Sequence, residues 1–591
     1  MSETAPAVLG VERSAGGRRW RSREGDARLG LALAQRHGLP EVVGRIMAAR
    51  GIGLEDAAVW LDPTLKALLP DPSHLKDMDR AAERVARAVR SGETIAIFGD
   101  YDVDGATSTA LLLRFLDSVG GRIVTYIPDR ITEGYGPNAP ALLALRQRGA
   151  AVAVTVDCGI TAFEPLEVAA EAGLEVVVVD HHVAEPRLPR AHAVVNPNRL
   201  DDESSHGQMA AVGVAFLLAV AINRALRDAG WYTGRPEPDL RQWLDLVALG
   251  TVCDVVPLTG VNRAFVAQGL KVMAQRGNPG IAALADVARM GEAPEAWHAG
   301  FLLGPRVNAG GRVGEAGLGA ALLSAPDYAT ALPLAQRLDA WNTERKGIEA
   351  ACLEEAIAQV EANSLQDGLV YAASEGWHPG VIGIVAGRLK ERYNRPACVV
   401  ALADGSGRGS GRSVSGVDLG SAVIAARQEG LLINGGGHAM AAGFTVAADR
   451  QGDFRVFLAG RIIAQTGPAG PVAELGLDGT LQPRGATVEL AASLQRLAPF
   501  GAGNREPRFA IPAARVVKAD IVGEDHVRCI LAGEDGGRLK AIAFRAAGRP
   551  LGQLLMQSGG LPVHIAGQLR LDRWQGRESV QMIIDDAAPV T

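Results

Sequence analysis

Thiols, aromatic rings and long apolar runs are all scarce in these 591 residues. The five cysteines, Cys158, Cys253, Cys352, Cys398 and Cys529, stand far apart and form no CxxC pair. That excludes a thiolate zinc site and a disulfide framework, and it fits a reducing cytoplasm. Aromatic residues make up 5% of the chain. The longest near-apolar run, Met209 to Ile222, has 14 residues. A bilayer needs about 20, so no membrane partner is expected. The opening stretch "MSETAPAVLGVERSAGGRRWRSREGD" has no apolar h-region, and nothing hydrophobic follows its Arg18-Arg19 pair. A leader is therefore not expected, and the first ~25 residues read as a frayed terminus. A strong basic charge is missing too: the formal net charge is -6. Any nucleic-acid surface must then be a local patch.

What remains is an ordinary globular composition, 48% hydrophobic and 21% charged. At this length it must divide among several domains. No internal repeat of fixed period is visible. Residues 1–85 carry helical patterns broken by prolines. Over about 86–326, short β-branched runs alternate with helix-like segments: "TIAIFGD", "RIVTYIPD", "AVAVTVD" and "EVVVVDHH". Continuous apolar strands alternating with helices predict an α/β fold with a parallel sheet covered on both faces. Residues 327–365 contain almost no breaker and predict a long connector helix. A second, smaller α/β region is expected over 366–468. From 469 to 591 a helix-like "TVELAASLQRL" and five short strand patterns suit a small OB-like β-barrel.

Ligands of parallel α/β sheets sit beyond the carboxyl ends of the strands, and here those ends are acidic. Asp100, Asp102 and Asp104 lie in "DYDVDG", Asp157 ends "VAVTVD", and Asp180, His181 and His182 end "EVVVVDHH". The segment "GTVCDVVPL" adds Asp254. A single aspartate there is commonly a helix N-cap, but several strand ends together argue for a cation. Carboxylates with imidazole and no thiolate favour Mn²⁺ or Mg²⁺. Two such ions about 3.5–4 Å apart would form a hydrolytic two-metal site. Gly105 is expected to serve a tight turn after the first strand.

The ordered set "DYDVDG", "DCGIT", "DHH" and "GTVCDVVPL" resembles the DHH phosphoesterase superfamily. "PDRITEGYGPN", "GPRVNAGGR", "GSGRSVSGVDL" and "GGGHAMAAGF" narrow the resemblance to the RecJ single-strand-specific exonucleases, over roughly residues 35–585. The resemblance implies a DHH catalytic domain, a DHH-associated substrate-binding domain and an OB-like nucleic-acid-binding domain. It implies that Asp157 bridges two ions, that Asp104, His181 and Asp254 complete one, and that Asp102 holds the other, with Asp100 either assisting that ion or orienting its ligands. His182 would stand over the scissile phosphate as a donor. The implied activity is 5′→3′ hydrolysis of single-stranded DNA to 5′-mononucleotides in repair and recombination. A single-strand-binding protein and a RecQ-type helicase are the implied partners.

Several loops offer substrate contacts. Arg130 in "PDRITEGYGPN" can hold a phosphate bidentately, or else pair with Glu133. Arg306 and Asn308 are expected in a loop. Ser410, Arg412 and Ser413 lie among glycines that read as a phosphate nest, and the resemblance places a terminal 5′-phosphate on Ser410 and Arg412. His438 in "GGGHAMAAGF" can donate to an anion or merely cap a turn. Trp574, between Arg573 and Arg577, reads either as core or as a base-stacking residue. Two rivals remain beside the exonuclease reading: a phosphodiesterase of small substrates, which the chain length disfavours, and an inactive scaffold, which the intact ligand set disfavours.

Overall fold

The computed structural model describes residues 6–130, 132–362, 368–467, 470–574 and 577–590. The side chains of 573–577 are outside that description, and with them the choice between core and base stacking at Trp574. Two compact units share the chain: Thr64–Pro471 with Gly501–Gly503, and Met1–Pro63 with Val472–Phe500 and Asn504–Thr591.

In the unit built on Thr64–Pro471, the β-branched runs form a five-stranded parallel sheet. Its order is Arg122–Tyr126, Thr94–Phe98, Ala150–Val156, Glu175–Val179, Ala193–Val195. The short Ala193–Val195 strand adds to the four expected. Alternation along the strands sends successive side chains to opposite faces. Ile95, Ile97, Val152 and Val154 enter one core, and Ala96, Phe98, Ala153 and Val176 enter another. Both faces are covered, which is why these strands read as continuous apolar runs. The order also sets Thr94–Phe98 beside Ala150–Val156, where the connections leave toward opposite edges. Such a switch point opens a crevice at the carboxyl ends of the strands.

The connector is the 35-residue helix Tyr328–Ala362, which tolerates Pro333 near its start. Beyond it lies a mixed five-stranded sheet ordered Asn434–His438, Ala441–Ala447, Ser406–Arg412, Ala397–Ala403, Val370–Glu375. The glycine-serine stretch expected as a loop is therefore a strand. Side chains alternate along it, so Gly407, Gly409 and Gly411 face inward, and the Phe444 ring fills the space where a Cβ on Gly409 would stand. Arg408, Ser410 and Arg412 take the opposite face. "GGGHAMAAGF" forms a hairpin.

In the other unit, Phe509–Val522, His526–Ala532, Arg538–Ala543, Arg577–Pro589 and Pro562–Trp574 pair in that order, and Pro562–Trp574 closes back on Phe509–Val522. This is the expected barrel. Helix Val488–Gln495 precedes it, and a second helix, Pro550–Gln557, follows its third strand in the chain. Residues 19–22 fall within the terminus expected to be frayed, yet they form a strand. Arg19–Ser22 pairs with Glu474–Leu477. Trp20 is fully buried, and its indole N–H donates to the buried Asp586 carboxylate at 3.1 Å. Leu33, Val43, Ile46 and Met47 share a core with Phe509, Ile511 and Ile565 of the barrel. Among the described residues no helix is long and apolar enough to cross a membrane.

Candidate active site

The Thr94–Phe98 strand stops at Gly99, and helix Val103–Ser118 begins soon after. Asp102 is its N-cap, accepting from the Gly105 N–H at 3.0 Å. Gly105 lies inside the first helical turn, not in a tight turn as expected. A Cβ there would meet the Asp100 carbonyl oxygen at 2.6 Å. The glycine thus folds the helix start onto the strand end and gathers Asp100, Asp102 and Asp104. Asp104 is buried and receives the backbone N–H groups of Ala211 at 2.6 Å and Val212 at 2.9 Å. These begin helix Ala211–Asp228, whose positive end favours a carboxylate. Helix Leu244–Cys253 packs so closely that a Cβ on Gly250 would lie 2.3 Å from Thr107 Oγ1. Its C-cap is Asp254.

Strand ends supply the rest. Asp157 adopts φ 61°, a left-handed conformation costly for a non-glycine residue and typical of functional sites. Its carbonyl accepts from the Tyr135 hydroxyl at 2.9 Å. The His181 Nε2 atom stands 3.3 Å from Asp157 Oδ1 and 3.8 Å from Asp104 Oδ2, and its Nδ1 stands 3.7 Å from Asp254 Oδ2. The side chains fall into three overlapping sets with metal-ligand spacing: Asp104, His181 and Asp254; Asp157, His181 and His182; and Asp100, Asp102 and Asp157. Asp157 is thus shared between the set that holds both histidines and the set that holds Asp100 and Asp102.

Asp180 is not in these sets. It is fully buried and accepts from the backbone N–H groups of Ile160, His181 and His182. Its Oδ1 also lies 2.7 Å from His182 Nδ1. It therefore orients the neighbouring imidazole instead of offering itself to a cation. Burial holds the His182 pKa down, but the Asp180 hydrogen bond and charge outweigh it and lift the ring above its usual value.

The acidic set is electrostatically frustrated by itself. Burial and the Asp102 charge push Asp100 up to about 8 and Asp254 up to about 7. Burial and neighbouring carboxylates also raise Asp104 and Asp157. Burial, then His182, presses His181 down to about 4, which leaves a neutral ring with a lone pair to give. Asp100 Oδ1, His181 Nε2 and Asp254 Oδ2 are buried without a hydrogen-bond partner. Hard divalent cations satisfy every one of these demands: they neutralise the carboxylates and accept oxygen and imidazole donors.

A basic region faces the acidic one. Arg130 does not pair with Glu133, which instead accepts from Tyr126, Asn138 and the Asp129 N–H. The Arg130 guanidinium lies over the Tyr101 ring, 5.3 Å from its centroid. Arg306 and Asn308 belong to helix Gly304–Val313, not to a loop. Arg306 donates to Asp339 at 2.8 Å and clips that helix to the connector, so it is committed to structure. Asn308 is half-buried on the same helix. The residue missed is Arg312, the last of the "GPRVNAGGR" motif. Its Nη1 donates to the Gly380 carbonyl at 3.0 Å. Burial and then Arg130 press its pKa down to about 10, and Arg345, Asp102 and Arg412 are further charges in its surroundings. Arg312 therefore feels both the acidic cluster and Arg412. Only its spacing of eight residues from Gly304 along a helix marked it out, and a loop reading hid that.

Arg412 hydrogen-bonds Ser410 Oγ at 3.1 Å and the Gly411 carbonyl at 2.8 Å. A Cβ on Gly383 would meet both Ser410 Oγ and Arg412 Nη2 at 3.0 Å. Gly383 is the second residue of helix Ile382–Tyr393, so a helix N-terminus, a hydroxyl and a guanidinium converge. Ser413 turns away and donates to the Val417 carbonyl. His438 is exposed at the end of its strand.

Comparison with known proteins agrees with this layout. Residues 94–251 match the DHH family N-terminal domain, 366–463 the DHHA1 domain and 477–586 the RecJ OB domain. The single-stranded-DNA-specific exonuclease RecJ of Escherichia coli is 37% identical over 566 residues, covering 93% of this chain and 96% of that protein. The crystal structure of RecJ from Thermus thermophilus in complex with Mn²⁺ superposes with a TM-score of 0.80 at 30% identity, covering 96% of this chain and 79% of that one. The Mg²⁺ complex from the same organism gives 0.74 at 29%, covering 96% and 78%. With an acidic, imidazole-bearing strand-end cluster, its associated sheet and its barrel all matched nearly end to end, this chain belongs to the RecJ family of DHH phosphoesterases.

Proposed function

We propose that this protein degrades single-stranded DNA from its 5′ end and releases 5′-mononucleotides. The observation that carries the reading is the convergence of Ser410, Arg412 and the start of helix Ile382–Tyr393 within the electrostatic surroundings of Arg312, which also include Asp102. An anion pocket of that kind suits a terminal phosphate held through charge-assisted bonds. A strand gripped there by its 5′-phosphate would offer its next phosphodiester to the acidic set. Each cut would leave a new 5′-phosphate, which is again the preferred end.

Asp104, His181 and Asp254 would hold one ion and Asp102, helped by Asp100, the other, with Asp157 common to both. Mn²⁺ or Mg²⁺ bound there would supply Lewis acidity toward phosphoryl oxygen and a water of lowered pKa. The protein's own part is positional. Asp180 fixes the His182 ring so that its remaining N–H can donate to a phosphate oxygen, and the Tyr135 hydroxyl tethers the Asp157 backbone. Arg130 and Arg312 would add positive charge beside the phosphate as negative charge develops on it. His438 and Asn308 would contact the nucleotide, whereas Arg306 would act through helix packing. The barrel would bind the strand farther from its end, with stacking and salt-sensitive backbone contacts.

Strands labelled at either end test this reading in Mn²⁺. Labelled mononucleotide should appear first from the 5′ label, and a blocked 5′ end should stop the reaction. Release that begins at the 3′ label, or attack on dinucleotides but not on long strands, would overturn it.

A further inference from the structure

Helices seldom widen to a π turn without a local cause, and such turns gather at functional sites. One spans His298–Leu303, directly ahead of helix Gly304–Val313. Its inner side is filled by His298, Ala299 and Leu303. Its outer side displays Phe301, which is 81% exposed. The turn is fastened to the end of helix Leu244–Cys253 that carries Asp254. Cys253 Sγ donates to the Ala299 carbonyl at 3.4 Å. A Cβ on Gly304 would stand 2.4 Å from that sulfur, and one on Gly300 would stand 3.3 Å from Val252 Cγ1. Just past Asp254, Val255 adopts φ 61° and is 70% exposed. A β-branched residue in the left-handed region is strained. Two apolar side chains are therefore held out of the core, one by a widened helix that packs on Val252 and Cys253 and one by strained backbone two residues beyond Cys253.

We propose that Phe301, with Val255 on the adjoining turn, is a stacking platform for a base of the substrate strand as it passes the Asp254 side of the site. The inference rests on the single-strand exonuclease reading and adds a residue that determines specificity. An uncharged ring beside a phosphate-handling cluster suits the one group that alternates with phosphate along a strand, the base. Stacking requires a free base face, which a paired duplex does not offer at its interior steps. The platform thus favours single strands without reading sequence.

Phe301→Ala removes an exposed side chain and should leave the melting temperature unchanged. On an unmodified 5′-phosphorylated strand it should raise KM on the order of ten-fold, with kcat changed less. Phe301→Trp should keep KM near the original. Equilibrium binding of a fluorescent strand in chelator should weaken in parallel. On a strand whose first several nucleotides are abasic, the original protein and Phe301→Ala should have the same KM. Equal losses on both strands, or no loss on either, would overturn the platform while leaving the exonuclease reading intact. A protein of unaltered sequence that leaves both strands uncut would overturn that reading and the platform together.

Discussion

Asp104, which is buried, and Arg412, which is half-buried, lie in the same unit and are held differently. Asp104 is locked from behind by two backbone N–H groups and faces other acidic side chains in front. Arg412 leans on a hydroxyl and a carbonyl, and burial and then the Arg130 charge lower its pKa. Each cluster holds like charges together and so calls for an outside partner of opposite sign. The acidic side is built for a cation, and its many fixed bonds leave little freedom. The basic side is built for a phosphate and has neutral props that a phosphate can join. The first should govern the rate of the chemical step and the second which end is taken.

Breaking the acidic side at its shared member should have the largest effect. Asp157→Ala should abolish hydrolysis, because no other carboxylate lies in both a His181 set and the Asp102 set. The residue ends a strand and is not part of a hydrophobic core, so circular dichroism and melting should show a folded protein. Retention of more than about a few per cent of kcat, against the large losses usual for metal-site ligands, would remove Asp157 from the bridging role.

Asp180→Asn tests whether that side needs orientation as well as ligands. It keeps the shape but loses the charge that lifts His182. The kcat should fall about 10- to 100-fold, as for other residues that orient a site histidine. If His182 works as a protonated donor, the alkaline limb of the pH profile should also move to lower pH. An unmoved profile with a reduced rate would mean that Asp180 only supports the fold.

On the basic side the effect should be selective. Arg412→Ala should cut the preference for 5′-phosphorylated over 5′-hydroxyl ends roughly ten-fold or more, the worth of one charge-assisted hydrogen bond. Competition between the two ends in one reaction measures this directly. Equal losses on both would make Arg412 a general backbone contact and blur the division between the two sides.

The acidic side was far more legible in the sequence than the basic side, for a physical reason. Strand ends announce themselves: a β-branched run stops, and a carboxylate follows. Asp102, Asp104, Asp157 and His181 could therefore be placed together before any packing was known. Asp180 could not be told from its neighbours, because only its three backbone hydrogen bonds show that it orients and does not ligate. The basic side arises from packing between elements distant in sequence. The glycines around Ser410 and Arg412 read as a loop, yet the period of two in Gly407, Gly409 and Gly411 is the mark of a strand making room for Phe444 and its neighbours. Arg306 and Arg312 looked alike, and only the helix separates the one clipped to Asp339 from the one beside the site. The strand Arg19–Ser22 is hidden in the sequence for a similar reason. Trp20 finds its partner, Asp586, near the far end of the chain. A truncation at 470 would strip Leu33, Val43 and Ile46 of their core, so a fair test of the barrel removes residues 1–63 with it.

The smallest effect sharpens the comparison without changing any residue. Metal-free, the acidic cluster should make the fold less stable as pH rises. Asp100 titrates at about 8 and Asp254 at about 7 in the folded protein, while unfolded aspartates titrate near 3.9. Between those limits the folded state binds protons that the unfolded state has released, so stability must fall with rising pH. The loss begins above about pH 4 and is complete only above the folded values, near 8. Asp180 and His181 shift the other way: the Asp180 contribution is lost only in acid, below the usual carboxylate range, and that of His181, one proton against the two of Asp100 and Asp254, opposes the decline only below about pH 6.5, where the unfolded ring is still protonated. Mn²⁺ or Mg²⁺ should reverse the trend, because a bound cation favours the ionised carboxylates and stabilises only the folded state. Melting temperatures in chelator should therefore decline from about pH 5.5 to about 8.5, a range that spans both folded values, and the gain from added Mn²⁺ should grow across it. The basic cluster predicts no such dependence, since its arginines stay charged throughout. In Asp157→Ala the decline should be shallower and the Mn²⁺ gain smaller. A metal gain that is flat with pH would show that the carboxylates are already ionised without metal, and the contrast drawn between the two sides would fail on its acidic half.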